Sequence, residues 1–235
     1  MESMKNLFNF LNRLSGNNNR EWFYSHKEEY LSIRSGFEEF AQKLIDKICQ
    51  WDEDIANSNL KVKDCTYRIN RDTRFSKNKE PYKTHMGIFI CKGGKKSPYA
   101  GYYLHLEPPV NSDAPLSMGG CFIIAGTYHF EPKVLRSIRD EIHVNGDSFI
   151  ESINQAKGFK IDESNMLKKV PSEFAGAPLK WHNLLRMKNY GLIKAVDMEY
   201  ICKEDAIDII ADDFKSCSNF IKKLNMAIDY AYEEM

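Results

Sequence analysis

The chain has 235 residues with 33 Lys and Arg against 33 Asp and Glu, and 43% of it is apolar and 12% aromatic. That balance excludes attraction to nucleic acid or an anionic membrane through net charge alone, so any such affinity must come from a local patch. The apolar fraction is ample for a core, and no run of about 18 apolar residues supplies a membrane span, which makes a globular protein with the cytoplasm as default compartment the expectation.

At the N-terminus Met4, Leu7, Phe8, Leu11 and Leu14 repeat at helical spacing, with Asn and Arg interrupting where a signal peptide would be continuously apolar. The cluster SGNNNREWF ends this helix and starts the next near Asn18 or Asn19. From Trp22 through Phe23, His26, Tyr30, Ile33, Phe37, Phe40 and Leu44 to Ile48 the apolar steps are three and four residues, predicting one long amphipathic helix. Gly36 within it marks close approach of another backbone. The acidic run DEDIANSN near Asp52 reads as a solvated turn.

Between Lys63 and Phe130 β-branched and aromatic residues alternate with Gly and Pro, and strands are expected around 65–71, 84–92, 100–107 and 120–130. KGGKKSP joins the second and third as an antiparallel hairpin; it lacks the spacing and the following helix of a phosphate loop. EPPVNSDAPLSMGG is a loop long enough to suggest a functional role.

Glu131 and Pro132 open a helix with Val134, Leu135, Ile138 and Ile142 inward, and Asp147 can cap another with Phe149, Ile150 and Ile153 inward. VPSEFAGAP leads to a short helix through Trp181, Leu184 and Leu185. A final helix is expected from about Glu204, its stripe running through Ile207, Ile210, Phe214, Cys217, Ile221, Leu224, Ile228 and Ala231. Glu204, Asp205 and Asp208 sit where the helix dipole favours acids. Packing of this stripe within its own chain is the simpler expectation than a coiled coil between subunits. The order helices, strands, helices predicts a single α+β domain over residues 1–235, an antiparallel sheet of about four or more strands packed with N-terminal and C-terminal helices.

Cys49, Cys65, Cys91, Cys121, Cys202 and Cys217 are far apart and form no zinc-like spacing, so they read as reduced core thiols and no metal is assigned. The chemistry concentrates instead in RINRDTRFSKNKEPYKTH, residues 68–85, which holds six Lys and Arg against two acids. Arg68, Arg71 and Arg74 recur every third residue, and guanidinium forks bind phosphate or carboxylate with fixed two-pronged geometry. Asp72 can orient them, Phe75 reads as an apolar anchor, and Lys79, Tyr82 and Lys83 can complete an anion site. The competing account is a structural network in which the protein's own acids neutralise these cations.

Histidines fall in three expected strands, at His85, His105 and His129, and alternation puts His105 and Glu107 on one face with Tyr103. A general base or a metal site can be built this way, and His105 or Glu107 is the proton acceptor best placed for catalysis. Cross-strand spacing decides which, and one sequence does not carry it.

RINRDTRFSKNKEPY resembles the signature R-x-x-R-D-x-R-F-x-x-(D/N)-K-x-x-Y of the DUF2461 family, bacterial proteins of about this length that also occur as a domain in fungal chains. Arg68, Arg71, Asp72, Arg74, Phe75, Asn78, Lys79 and Tyr82 fall on its fixed positions. NNNREWFYSHKEEY and AGTYHFEPKVLRSIRDEI are similar to other family segments, and LKKVPSEF through LLRMK to a later one that AGAPLKWHN fits loosely. The resemblance implies a fold and a site location, and no reaction. The expectation is a small anionic ligand, phosphate or carboxylate, bound on this cluster by a protein that is either a binder or an enzyme, its cofactor unknown. A nucleic-acid or protein interaction module using the same basic loop is the alternative.

Overall fold

A computed structural model describes residues 2–109, 120–128 and 130–233. Helix α1 (Glu2–Gly16) buries the expected apolar stripe and adds Phe10 to it. The expected long helix is broken at His26 into α2 (Arg20–Ser25) and α3 (Lys27–Cys49). The His26 ring stacks on Trp22 at 4.0 Å and its Nδ1 lies 2.8 Å from the Trp22 carbonyl, so a side chain intrudes on the helix ladder there. Asn19 caps α2 by accepting from Trp22 N at 2.9 Å, and Gly36 makes room for Ser3 of α1.

The expected solvated turn near Asp52 is instead a short helix, α4 (Glu53–Asn57). Asp52 caps it by accepting from Ile55 N at 3.1 Å and ties it to the sheet by accepting the Tyr102 hydroxyl at 2.8 Å. The first expected strand, 65–71, does not form. Helix α5 (Val62–Cys65) takes its start, and the residues after that helix make only isolated bridges, Thr66 with Ile88 and Asn70 with Tyr82. Of the apolar residues that were to hold that strand, Ile69 is buried but Tyr67 is 37% exposed, so one apolar side chain is left to seat it.

The other expected strands are present as β1 (Met86–Cys91), β2 (Gly101–Leu106) and β3 (Cys121–Thr127). Next comes α6 (Pro132–Asn154), which joins the two expected helices in one element bent at Asn145; Asp147 accepts from Trp181 Nε1 at 3.0 Å rather than capping. The chain continues through β4 (Lys160–Ile161), α7 (His182–Arg186) and β5 (Tyr190–Val196), two of which are strands that the sequence pattern does not announce. All pairings are antiparallel, in the order β1-β2-β3-β5-β4. After a short helix α8 (Met198–Cys202), the expected last helix is two, α9 (Ala206–Ser216) and α10 (Ser218–Glu233), separated at Cys217. Within the chain α9 packs on α3, while α10 packs on α6 and β3, which buries the long apolar stripe as the simpler account requires.

The α+β class therefore stands, with helices from both ends of the chain on one face of the sheet. Ile88, Ile90, Tyr102, Leu104, Ile123 and Ala125 point into that helical layer and are buried. All six cysteines are free thiols, four of them buried. Among the described residues no helix is long and apolar enough to cross a membrane.

Candidate functional site

The opposite face of the sheet carries the candidate site. Register places Gly87 against His105 and Phe89 against Tyr103 across β1 and β2, then Tyr103 against Ile124 and His105 against Phe122 across β2 and β3. Among the described residues no helical layer covers this set, and Phe89, Tyr103, Phe122, Ile124 and Ile193 form the floor of a cleft of about 1080 Å³. Gly87 is required here: a Cβ on it would lie 2.7 Å from the Tyr103 hydroxyl, which leans diagonally across β1 into the space glycine leaves.

One rim of the cleft is basic and aromatic, formed by Tyr67, Arg68, Lys83 and Lys95. The other carries Tyr128, Lys160, Asp162 and Glu163. Lys83 and Lys95 both lie over the Tyr67 ring, their Nζ atoms 5.4 and 5.8 Å from its centroid. Burial, reinforced by the charges of Arg68 and Arg71, holds the Lys83 ammonium below its ordinary range. Arg68 is exposed on the rim, without a hydrogen bond or ion pair among the described residues.

The remaining signature residues lie outside the lining of the cleft and shape its supporting loop. Arg71 N donates to the Pro81 carbonyl at 2.9 Å and Lys83 N to that of Ile69 at 2.8 Å, so residues 69–71 and 81–83 zip together. Tyr82 is 4% exposed and stacks on Phe23 at 4.0 Å. Asn18 clamps its backbone, accepting from Tyr82 N at 3.1 Å and donating to Tyr82 O at 3.0 Å. Beyond the zipper, Arg74 grips Asp72 with Nε at 3.0 Å and Nη2 at 2.6 Å, and these bonds hold the Asp72 carboxyl below its usual range. Lys79 Nζ donates to the Thr73 carbonyl at 3.0 Å, and Arg71 reaches Glu80 at 3.5 Å. Phe75, expected as an apolar anchor, is 96% exposed; Tyr82 and Ile69 do that work.

At the β1–β2 end of the cleft a polar chain begins. The Tyr103 hydroxyl lies 2.9 Å from His105 Nδ1, His105 Nε2 lies 3.2 Å from Glu107 Oε2, and Thr84 Oγ1 donates to Glu107 Oε1 at 3.0 Å. Phe122 stacks on the His105 ring at 4.3 Å with the planes 6° apart, fixing its tilt. His105 is 8% exposed, so it meets the cleft through its neighbours Tyr103 and His85. Burial opposes ionisation of Glu107, but the bonds from His105 and Thr84 outweigh it and hold the carboxyl below its usual range. Burial, with His105 beside it, lowers the His85 imidazole to about 4.

Sequence reasoning thus placed His105 and Glu107 together on one face with Tyr103, and the register joins them in one hydrogen-bonded chain. It weighed His85 only as one of three strand histidines and gave no role to Tyr67 or Lys95; all three reach the cleft from segments flanking β1, and the pairing of those segments was the missing signal. His129 and residues 110–119 of the long loop lie outside the described residues.

No curated protein and no solved structure matches the chain significantly. A family model described as "Conserved hypothetical protein (DUF2461)" matches residues 6–222, which run from within α1 to the start of α10 and include every residue of the cleft named above. The chain belongs to the DUF2461 family.

Proposed function

We propose that the chain binds a small organic anion in the cleft, with its phosphate or carboxylate at Arg68 and Lys83 and its apolar body on the sheet. One observation carries this: two cations, one without a hydrogen bond or ion pair among the described residues, stand at the rim of a cleft whose floor is aromatic and aliphatic. A bare phosphate would leave most of about 1080 Å³ empty, whereas organic ligands occupy pockets of roughly 300–1,000 Å³. Arg71 supports the head group from behind as a second layer of positive charge. The loop residues Asp72, Arg74, Lys79 and Tyr82 hold the rim in shape and do not meet the ligand. For chemistry on such a ligand, the Tyr103 hydroxyl is the group in the cleft that can take a ligand proton while passing its own to His105, with Glu107 stabilising the imidazolium.

Calorimetric titration with phenyl phosphate, benzoate and inorganic phosphate tests the proposal. The aryl anions should bind more tightly than inorganic phosphate, and Arg68→Gln should weaken them about tenfold, the order expected for one charge-assisted hydrogen bond. Arg74→Ala should leave binding unchanged. Equal binding by wild type and Arg68→Gln would remove the basis of the proposal.

The exposed loop favours a second reading on one point. Phe75 stands 96% exposed beside Arg74, whose guanidinium lies 5.9 Å from its ring, and Lys77 and Lys79 are exposed nearby. A single-stranded nucleic acid could stack a base there and pair its phosphates with the loop. Affinity would then fall steeply with salt and be lost in Phe75→Ala.

A further inference from the structure

We propose that His85, His105 and Glu107 bind one divalent transition-metal ion. Their candidate ligand atoms all lie within 4.8 Å of one another, and the three residues converge from two adjoining segments of the sheet face. His105 Nε2 and Glu107 Oε2 are 3.2 Å apart, which is close to the roughly 3.3 Å edge of a tetrahedral site with metal–ligand bonds of about 2 Å. In the metal-free protein a proton bridges that edge. An ion takes its place when His105 moves its proton to Nδ1, where it is donated to the Tyr103 oxygen at 2.9 Å; the imidazole stays neutral and no net charge is lost.

What separates this cluster from a chance meeting of polar groups is its support. Each first ligand except His85 is held by a further contact: His105 by the Tyr103 hydroxyl and the Phe122 stack, Glu107 by Thr84 on the oxygen that faces away from His105. Such outer contacts orient metal-binding imidazoles and carboxylates. His85 packs its ring 4.6 Å from that of His105 and has no hydrogen bond among the described residues, so both of its nitrogens remain to be used. Two His and one carboxylate suit zinc or ferrous iron, and His85 lines the cleft, so the open coordination position faces the ligand. There an ion would polarise an oxygen of a bound phosphate or carboxylate. The metal site itself does not depend on the cleft's binding an anion.

The test is titration of the untagged, chelator-stripped chain with Zn²⁺ by calorimetry and with Co²⁺ by visible absorption. One equivalent of each should bind, cobalt with the intense band of a four- or five-coordinate ion. His85→Gln should weaken binding by about 100-fold or more, and Tyr103→Phe, which removes only the outer contact, by about tenfold. Both variants should melt within a few degrees of the parent without metal, which separates lost ligation from lost fold. Failure of the wild-type chain to bind either ion, or equal binding by His85→Gln, overturns the site. Phenyl phosphate titrated in the presence of chelator reports on the cleft alone, so the two proposals fail separately.

Discussion

Gly87 shows how much of the site rests on a single hydrogen atom in place of a methyl group. The Tyr103 hydroxyl occupies the position a Cβ would need, and that hydroxyl is the first member of the chain to His105 and Glu107. Gly87→Ala should therefore cost about 1–3 kcal/mol in urea unfolding, the order seen for overpacking, and should push the Tyr103 ring away from His105. An unchanged tyrosine hydroxyl and imidazole signal in NMR spectra of the variant would count against this packing. The cysteines give a second residue-scale test. Burial pushes the Cys65 and Cys217 thiols up to about 12 and Cys91 to about 11, so at mild alkaline pH they are both protonated and shielded. Ellman's reagent should titrate Cys49 and Cys202 quickly in the native chain and the other four only on unfolding, as peptide mapping would show.

Elements were legible wherever one apolar stripe decides them. The α1 and α6 stripes follow from helical spacing, whereas β1, β2 and β3, buried at nearly every position, were read from β-branched and aromatic residues set between Gly- and Pro-containing turns. β5 was missed: Tyr190, Gly191 and Leu192 are all buried, so the strand shows no alternation and offers no period to read in a region otherwise helical. The broken helices at His26 and Cys217 were missed for another reason, since a helix interrupted by one residue keeps nearly the same apolar phase. The basic segment was visible as a charge cluster, but its division was not. Which cations face a cleft depends on the zipper between 69–71 and 81–83, and that zipper hangs on Asn18, which is 64 residues from Tyr82. Asn18→Ala leaves both backbone groups of Tyr82 without their partner and should cost about 1–3 kcal/mol, read as a lower urea midpoint. It should also loosen residues 72–80 in hydrogen exchange, whereas Arg74→Ala, which breaks only an exposed pair, should change neither measurement appreciably.

On the scale of the whole molecule, positive and negative charges are equal in number, yet they are not evenly spread. Arg68 and Lys83 stand at one rim with Arg71 behind them; Glu80 meets Arg71 at 3.5 Å, and Asp72, gripped by Arg74, meets Arg68 only as a charge through space. Like charges held together raise the energy of the folded chain and relax when it unfolds, so if the rim binds an anion as proposed, stability is given up there for binding. Removing a cation there should make the empty protein more stable and the liganded protein less so. Arg68→Gln is expected to raise the stability of the free chain by about 0.5–1 kcal/mol, and to shrink the rise in Tm that phenyl phosphate gives the parent. The competing account, an internal network that uses Arg68 to pin the sheet to the loop, requires the opposite sign for the free chain. Paired thermal scans of parent and variant, with and without phenyl phosphate, therefore discriminate the two: a free variant that melts below its parent means that Arg68 belongs to the architecture.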